Sequence, residues 1–141
     1  MDLADALSYV SGRHQGVLVT RRRDGRPQLS NIGYGTVEPG VVSISVTETR
    51  AKTKNLRRDP AASLYVPGDS FWSYVVVDGT AALSATTTAP DDETADELVA
   101  LYRHVRGEDH PDWDDYRAAM VREARLVVRL RPTHAYGVVN D

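Results

Sequence analysis

The 141-residue chain contains no cysteine. That absence removes disulfides, thiol nucleophiles and thiolate metal sites together, and it fits a reducing compartment. The opening residues, Met1-Asp2-Leu3-Ala4-Asp5-Ala6, carry acids where a secretory leader carries positive charge. Long apolar runs are missing too: the longest, Val75-Val76-Val77 with its aromatic neighbours, is far too short to span a bilayer. A cytoplasmic protein with no membrane partner is expected. Nor is there an excess of positive charge. Seventeen Lys and Arg stand against twenty Asp and Glu, a formal net charge of −3, so the molecule as a whole is not a cationic nucleic-acid binder. Any phosphate must be bound by a local patch.

Familiar catalytic signatures are also lacking. No G-x-S-x-G elbow, P-loop or HExxH occurs. Gly33-Tyr34-Gly35 lacks a third glycine and does not open a helix, so it is no dinucleotide fingerprint. His104 and His110 stand among Asp109, Asp112 and Asp114 without metal-ligand spacing, and read as part of an ordinary helix-loop-helix.

What is present is a globular composition, 41% hydrophobic and 26% charged, in a length that suits one domain over residues 1–141. Leu3, Ala6, Leu7 and Val10 recur at helical spacing until Ser11-Gly12. The period then changes to that of strands. Gly16 to Thr20 and Arg26 to Tyr34 flank Asp24-Gly25, a dipeptide suited to a type I′ hairpin turn, and Pro27 argues for an edge or strand start. Val41 to Val46 predicts a third strand, and Thr49 to Arg58 a helical turn or two closed by Asp59-Pro60. Ala61 to Val66 and Phe71 to Leu83 read as strands, the second bent at Asp78-Gly79. Asp91 to Val105 is a capped helix with Leu98, Leu101, Tyr102 and Val105 on one stripe, and Trp113 to Val121 is another. Two last strands, Leu126 to Leu130 and Ala135 to Val138, are separated at Pro132. The pattern predicts a mainly β protein with flanking helices, a barrel with helical decoration.

Three segments carry chemistry. Arg50, Lys52, Lys54, Arg57 and Arg58 crowd five cations into nine residues of an acidic chain. Such a cluster repels itself unless water or an anion screens it. It fits a phosphate or polycarboxylate clamp, and it equally fits a solvated basic helix face. In Pro27-Gln28-Leu29-Ser30-Asn31, Gln28 and Ser30 share one strand face, and Leu29 and Asn31 the other. Amides and hydroxyls there suit the carbonyls and ring nitrogens of a planar heterocycle, or simply an exposed strand. Phe71-Trp72-Ser73-Tyr74 suits a flat-ring pocket, a subunit interface or plain core packing.

Taken in order, Gly25-Arg26-Pro27-Gln28-Leu29-Ser30-Asn31, then Arg50-Ala51-Lys52-Thr53-Lys54-Asn55-Leu56-Arg57-Arg58-Asp59-Pro60, then Trp72-Ser73-Tyr74 with Gly79-Thr80-Ala81, resemble a known family. It is that of the flavin/deazaflavin oxidoreductases of the pyridoxamine 5'-phosphate oxidase-like superfamily, in particular the actinobacterial B-type branch that binds F420. Ala100-Leu101-Tyr102-Arg103 through Gly107-Glu108, and Trp113-Asp114-Asp115-Tyr116-Arg117, are similar to that branch as well. The resemblance spans nearly the whole chain. It implies an FMN-binding-protein-like split β-barrel that forms a homodimer, with two equivalent cofactor sites between subunits.

By that resemblance Arg50 and Lys52 hold the cofactor phosphate with Asn55 beside them, and Gln28, Ser30 and Asn31 border the ring system. Ser45 and Val46 line the same groove, and Trp72 and Tyr74 approach from the partner chain. Lys54, Arg57 and Arg58 are placed to attract the oligoglutamate tail of F420. The implied activity is hydride transfer from reduced F420 to an electron-poor small organic molecule. Two alternatives stay open: an FMN-dependent oxidase or reductase of the same fold, since FMN also presents one phosphate, and a non-catalytic F420-binding or carrier protein.

Overall fold

The computed structural model describes residues 1–140. Helix α1 (Leu3–Ser11) is followed by strands β1 (Gln15–Arg21), β2 (Pro27–Gly33) and β3 (Val42–Thr47), then helix α2 (Ala51–Arg58). Strands β4 (Ala61–Pro67) and β5 (Tyr74–Leu83), helices α3 (Glu93–Arg106) and α4 (Trp113–Arg122), and strand β6 (Arg125–Val138) complete the chain. All pairings are antiparallel, in the order β2-β1-β4-β5-β6-β3. The sheet curls into an open half-barrel with its helices on the flanks. Pro27 stands at the start of edge strand β2, where its missing N–H costs no central ladder bond.

Alternation along the strands sorts the core. Leu18, Ile44, Val46, Leu64, Val66, Val75, Val77, Leu126, Val128 and Leu130 face inward and are buried. Helix α1 closes one end through Ala6 and Val10, and the buried Tyr34 hydroxyl donates to the Val10 carbonyl at 2.7 Å. A second cluster on the other side of β6 joins Leu98, Met120 and Val127, with Tyr116 and Ala119 against it. Both faces of β6 are therefore covered around residues 126–128, by the barrel core and by the α3–α4 pair.

Four local expectations are corrected. The β1–β2 connection is no two-residue type I′ turn. Only Gly25 has positive φ, the Arg22 amide reaches the Arg26 carbonyl at 2.8 Å, and the Asp24 carboxylate accepts from the Arg26 amide at 3.0 Å. Strand β5 begins at Tyr74 and not Phe71, because Gly68 to Ser73 form a tight turn closed by Gly68 N–H to Ser73 O at 2.7 Å. The cap of α3 is Asp92, not Asp91: its carboxylate accepts from the Ala95 amide at 2.8 Å. Finally, Pro132 does not divide the last strand. The β5–β6 register shifts between Asp78 and Gly79, so that Gly79 faces Pro132 and the ladder runs on. A side chain at Gly79 would meet the Arg131 carbonyl at 2.2 Å, so only glycine lets the strands pass this bend.

Candidate functional site

The basic segment begins where β3 ends. Arg50 is the N-cap of α2 with no side-chain capping bond, and Lys52 lies half-buried within the first turn. The acid of this neighbourhood, Glu48, is already engaged. Arg57 donates to its two oxygens at 2.9 and 2.6 Å, and Thr86 donates to one of them at 2.6 Å, which together hold the carboxyl below its ordinary range. Arg50, Lys52 and Lys54 have no ion-pair partner among the described residues. Burial, then the charges of Arg50 and Arg125, push the Lys52 ammonium below its ordinary pKa. Three cations thus converge at one point, and Lys52, partly desolvated among them, has no counter-charge.

Arg125 was not visible as a site residue in the sequence, where it is merely the residue before an apolar run. The register brings it there: Arg125 opposes Thr47, and its guanidinium approaches the Ser45 hydroxyl at 3.5 Å while pairing with Glu123 at 2.9 Å. Its placement follows from Ala124, whose φ of 52° makes it the one non-glycine residue with positive φ among those described. The Ala124 carbonyl accepts from the Glu48 amide at 2.9 Å, joining the start of β6 to the end of β3.

The other expected residues fall into distinct places. Asn55 is buried. Its amide donates to the Thr20 hydroxyl at 3.1 Å and its carbonyl oxygen accepts from Arg58 at 3.2 Å, so it ties α2 to β1. Arg58 also donates to the Arg21 carbonyl at 2.6 Å, and Lys54 is exposed. Gln28 and Ser30 oppose Thr20 and Leu18, and lie half-buried on the face that α2 covers. Asn31 faces the opposite side with Val17, beside a cleft of about 420 Å³. Ser45 opposes Val127 on the α3–α4 side of β3, where it lines a small cavity with Tyr102 and Tyr116. Val46 is corrected: only 1% exposed, it belongs to the barrel core.

Trp72 and Tyr74 are far along the sheet from the cations. Tyr74 opposes Val138 at one end of β6, and Arg125 begins the other. Trp72 is 74% exposed beside Phe71 at 84%, and Tyr74 stacks on Tyr65 at 5.7 Å. With Leu29, Tyr136 and Val138 they give the outer sheet face an exposed apolar surface.

Arg50 and Lys52, without an acid partner among the described residues, lie beside Arg125 at the end of an open antiparallel half-barrel, the architecture of a split-barrel protein. The chain belongs to the pyridoxamine 5'-phosphate oxidase family, whose model matches residues 4–139. Solved structures with the same fold include a conserved hypothetical protein from Mycobacterium tuberculosis, at 23% identity and a TM-score of 0.74 over 97% of this chain and 84% of that one. An F420 reductase matches at 22% identity and a TM-score of 0.64, over 92% and 94% of the two chains. The heme storage protein HutZ of Vibrio cholerae matches at 15% identity and a TM-score of 0.66, over 96% and 82%. One fold thus serves an enzyme and a storage protein.

Proposed function

We propose that the chain is a homodimeric, cytoplasmic F420-dependent reductase. The observation that carries this reading is Lys52: half-buried, pressed by Arg50 and Arg125, and without an acid partner. A desolvated cation in that state wants a fixed anion, and a cofactor phosphate fits both the charge and the donors. Arg50, Lys52 and Arg125 would hold that phosphate. Lys54 and Arg58, on the same helix, would draw an oligoglutamate tail. Gln28, Ser30 and Ser45 would border the ring system. Asn31, Trp72 and Tyr74 lie away from this cluster within one chain, and in a dimer the apolar outer face would bring the partner's aromatic edge toward it.

F420 supplies a hydride when reduced, so the protein's part is to bind, orient and exclude water. The resemblance of Arg50 to Pro60 to the F420-binding branch favours the deazaflavin over FMN. A small electron-poor organic molecule is the expected acceptor. One observation favours the alternative of a non-catalytic carrier: two of the three phenols that line the cavity beside Ser45, Tyr34 and Tyr116, are engaged. Tyr34 donates to Val10, and Tyr116 donates to the Leu98 carbonyl at 3.1 Å with burial pushing its pKa up to about 12.

The test is titration of the purified protein with F420 and with FMN by fluorescence, followed by turnover of reduced F420 on enones, quinones and nitroaromatics. Micromolar F420 binding with hydride transfer is expected. FMN binding alone would select the flavin enzyme, tight F420 binding without turnover the carrier, and no binding of either would end the reading.

A further inference from the structure

Beside Ser45, between the end of β2 and the α3–α4 pair, lies a cavity of about 250 Å³. Gly35 explains why α3 sits so close. A side chain there would meet Leu101 at 2.8 Å, His104 at 2.9 Å and Val105 at 3.1 Å, so the helix rests directly on the chain leaving β2. Leu101 and Val105 then form one wall, and the Gly33–Tyr34 segment another. Tyr102 and Tyr116 add two aromatic surfaces, 5.1 Å apart, braced by Trp113 and His110. The Tyr116 hydroxyl is anchored on Leu98, so these walls are preformed and not adaptable.

The charge at the mouth is selective. Arg106 lines the cavity and also a larger cleft of about 810 Å³ that shares Gly33 and Val105 with it, so it stands at their junction. Its guanidinium lies over the Tyr102 ring at 5.5 Å, and it has no carboxylate partner among the described residues. The neighbouring arginines do: Arg103 pairs with Asp109 at 2.7 Å, and Arg117 with Asp96 at 2.9 Å. Among the described residues no acid lines either space. The volume is below the roughly 300–1,000 Å³ of sites for drug-sized ligands, which restricts the occupant to one or two rings.

We propose that this cavity receives the ring of a small planar unsaturated carboxylate, whose carboxylate is held by Arg106 at the mouth. The assignment of that molecule as the hydride acceptor rests on the reductase reading above, because the cavity adjoins Ser45 and so the cation cluster. Aromatic walls favour a flat ring, and a planar guanidinium favours a carboxylate over a neutral group.

The experiment uses the full chain without cofactor, with 2-naphthoate and the uncharged 2-naphthalenemethanol as probes in calorimetric titrations. Naphthoate is expected to bind about ten- to a hundred-fold more tightly than the alcohol, the effect of one charge-assisted contact. Arg106→Gln should reduce naphthoate to the level of the alcohol, and Arg106→Lys should restore part of the difference. Val105→Trp, which fills the cavity, should abolish binding of both. Arg106 is exposed, so its variants should keep the wild-type melting temperature. Equal affinity for the two probes, or naphthoate binding indifferent to Arg106→Gln or Val105→Trp, overturns the proposal. Parallel F420 titration separates the two readings. F420 binding with failure of the naphthoate test sinks this proposal alone, whereas naphthoate binding without F420 binding sinks the reductase reading and with it the substrate role.

Discussion

The side-chain amide of Asn55 donates to the hydroxyl of Thr20 at 3.1 Å, both groups being buried. This bond fixes the helix bearing the cations against the strand whose neighbour carries Gln28. Thr20→Val removes the acceptor and leaves a buried amide N–H unsatisfied, which costs about 1–3 kcal/mol. Asn55→Ala should cost a similar amount, and the double variant less than the sum. Chemical denaturation of the four proteins checks this, and strict additivity would deny the coupling.

Lys52 should weaken the free protein while serving its ligand. Its folded pKa is below the unfolded value of 10.5, so the unfolded chain holds the proton more firmly. At neutral pH both states are charged and the penalty is complete. Stability attributable to this residue should therefore rise with pH once the folded pKa is passed, and level off above 10.5. Lys52→Met should raise the melting temperature at pH 7 and low salt, most in the absence of phosphate. It should weaken cofactor binding by roughly 1–3 kcal/mol, the worth of a charge-assisted contact. A melting temperature lowered by the substitution would contradict the crowded-cation picture.

Ala124 holds a left-handed backbone at the junction that aims Arg125. Glycine adopts this conformation without the Cβ clash that costs other residues about 1–2 kcal/mol. Ala124→Gly should raise stability by up to about 1 kcal/mol, since glycine's greater unfolded-state entropy offsets part of the relief. The denaturation midpoint reads this directly, and a destabilised variant would argue against strain at the junction.

Trp72 is 74% exposed, so the fold of one chain gains little from its ring. Trp72→Ala should leave the unfolding of dilute protein nearly unchanged and shift the proposed dimer toward monomer in sedimentation at intermediate concentration. Leu29→Arg, on the same outer face and 60% exposed, should do so more strongly. An unaltered mass distribution for both would deny this face a role in the proposed dimer.

Most strands and helices were legible because one face of each is buried and the periods of two and 3.6 survive in the residues. Leu3 to Val10, Gly16 to Thr20 and Ala61 to Val66 show it plainly. What eluded reading was set by partners distant in sequence. Pro132 looks like a strand break until Gly79 is found opposite it, and Val46 looks available until the pleat turns it inward. Arg125 carries no local signal at all, since only pairing with Thr47 brings it to Ser45. The cation-rich segment was conspicuous as charge, but which cations were engaged depended on Glu48 and Thr86, 38 positions apart.

Strand β3 finds its ladder partner in β6, and the contact between Ser45 and Arg125 spans 80 positions. During synthesis the early part of the chain can form its hairpin and plug helix, yet the edge carrying Ser45 must wait, exposed, for the strand that emerges after all the others. Assembly of the proposed anion site thus waits on a long-range closure, the kind of step that is intrinsically slow. A ribosome stalled before residue 125 would display a nascent chain with an unpaired β edge, vulnerable to aggregation.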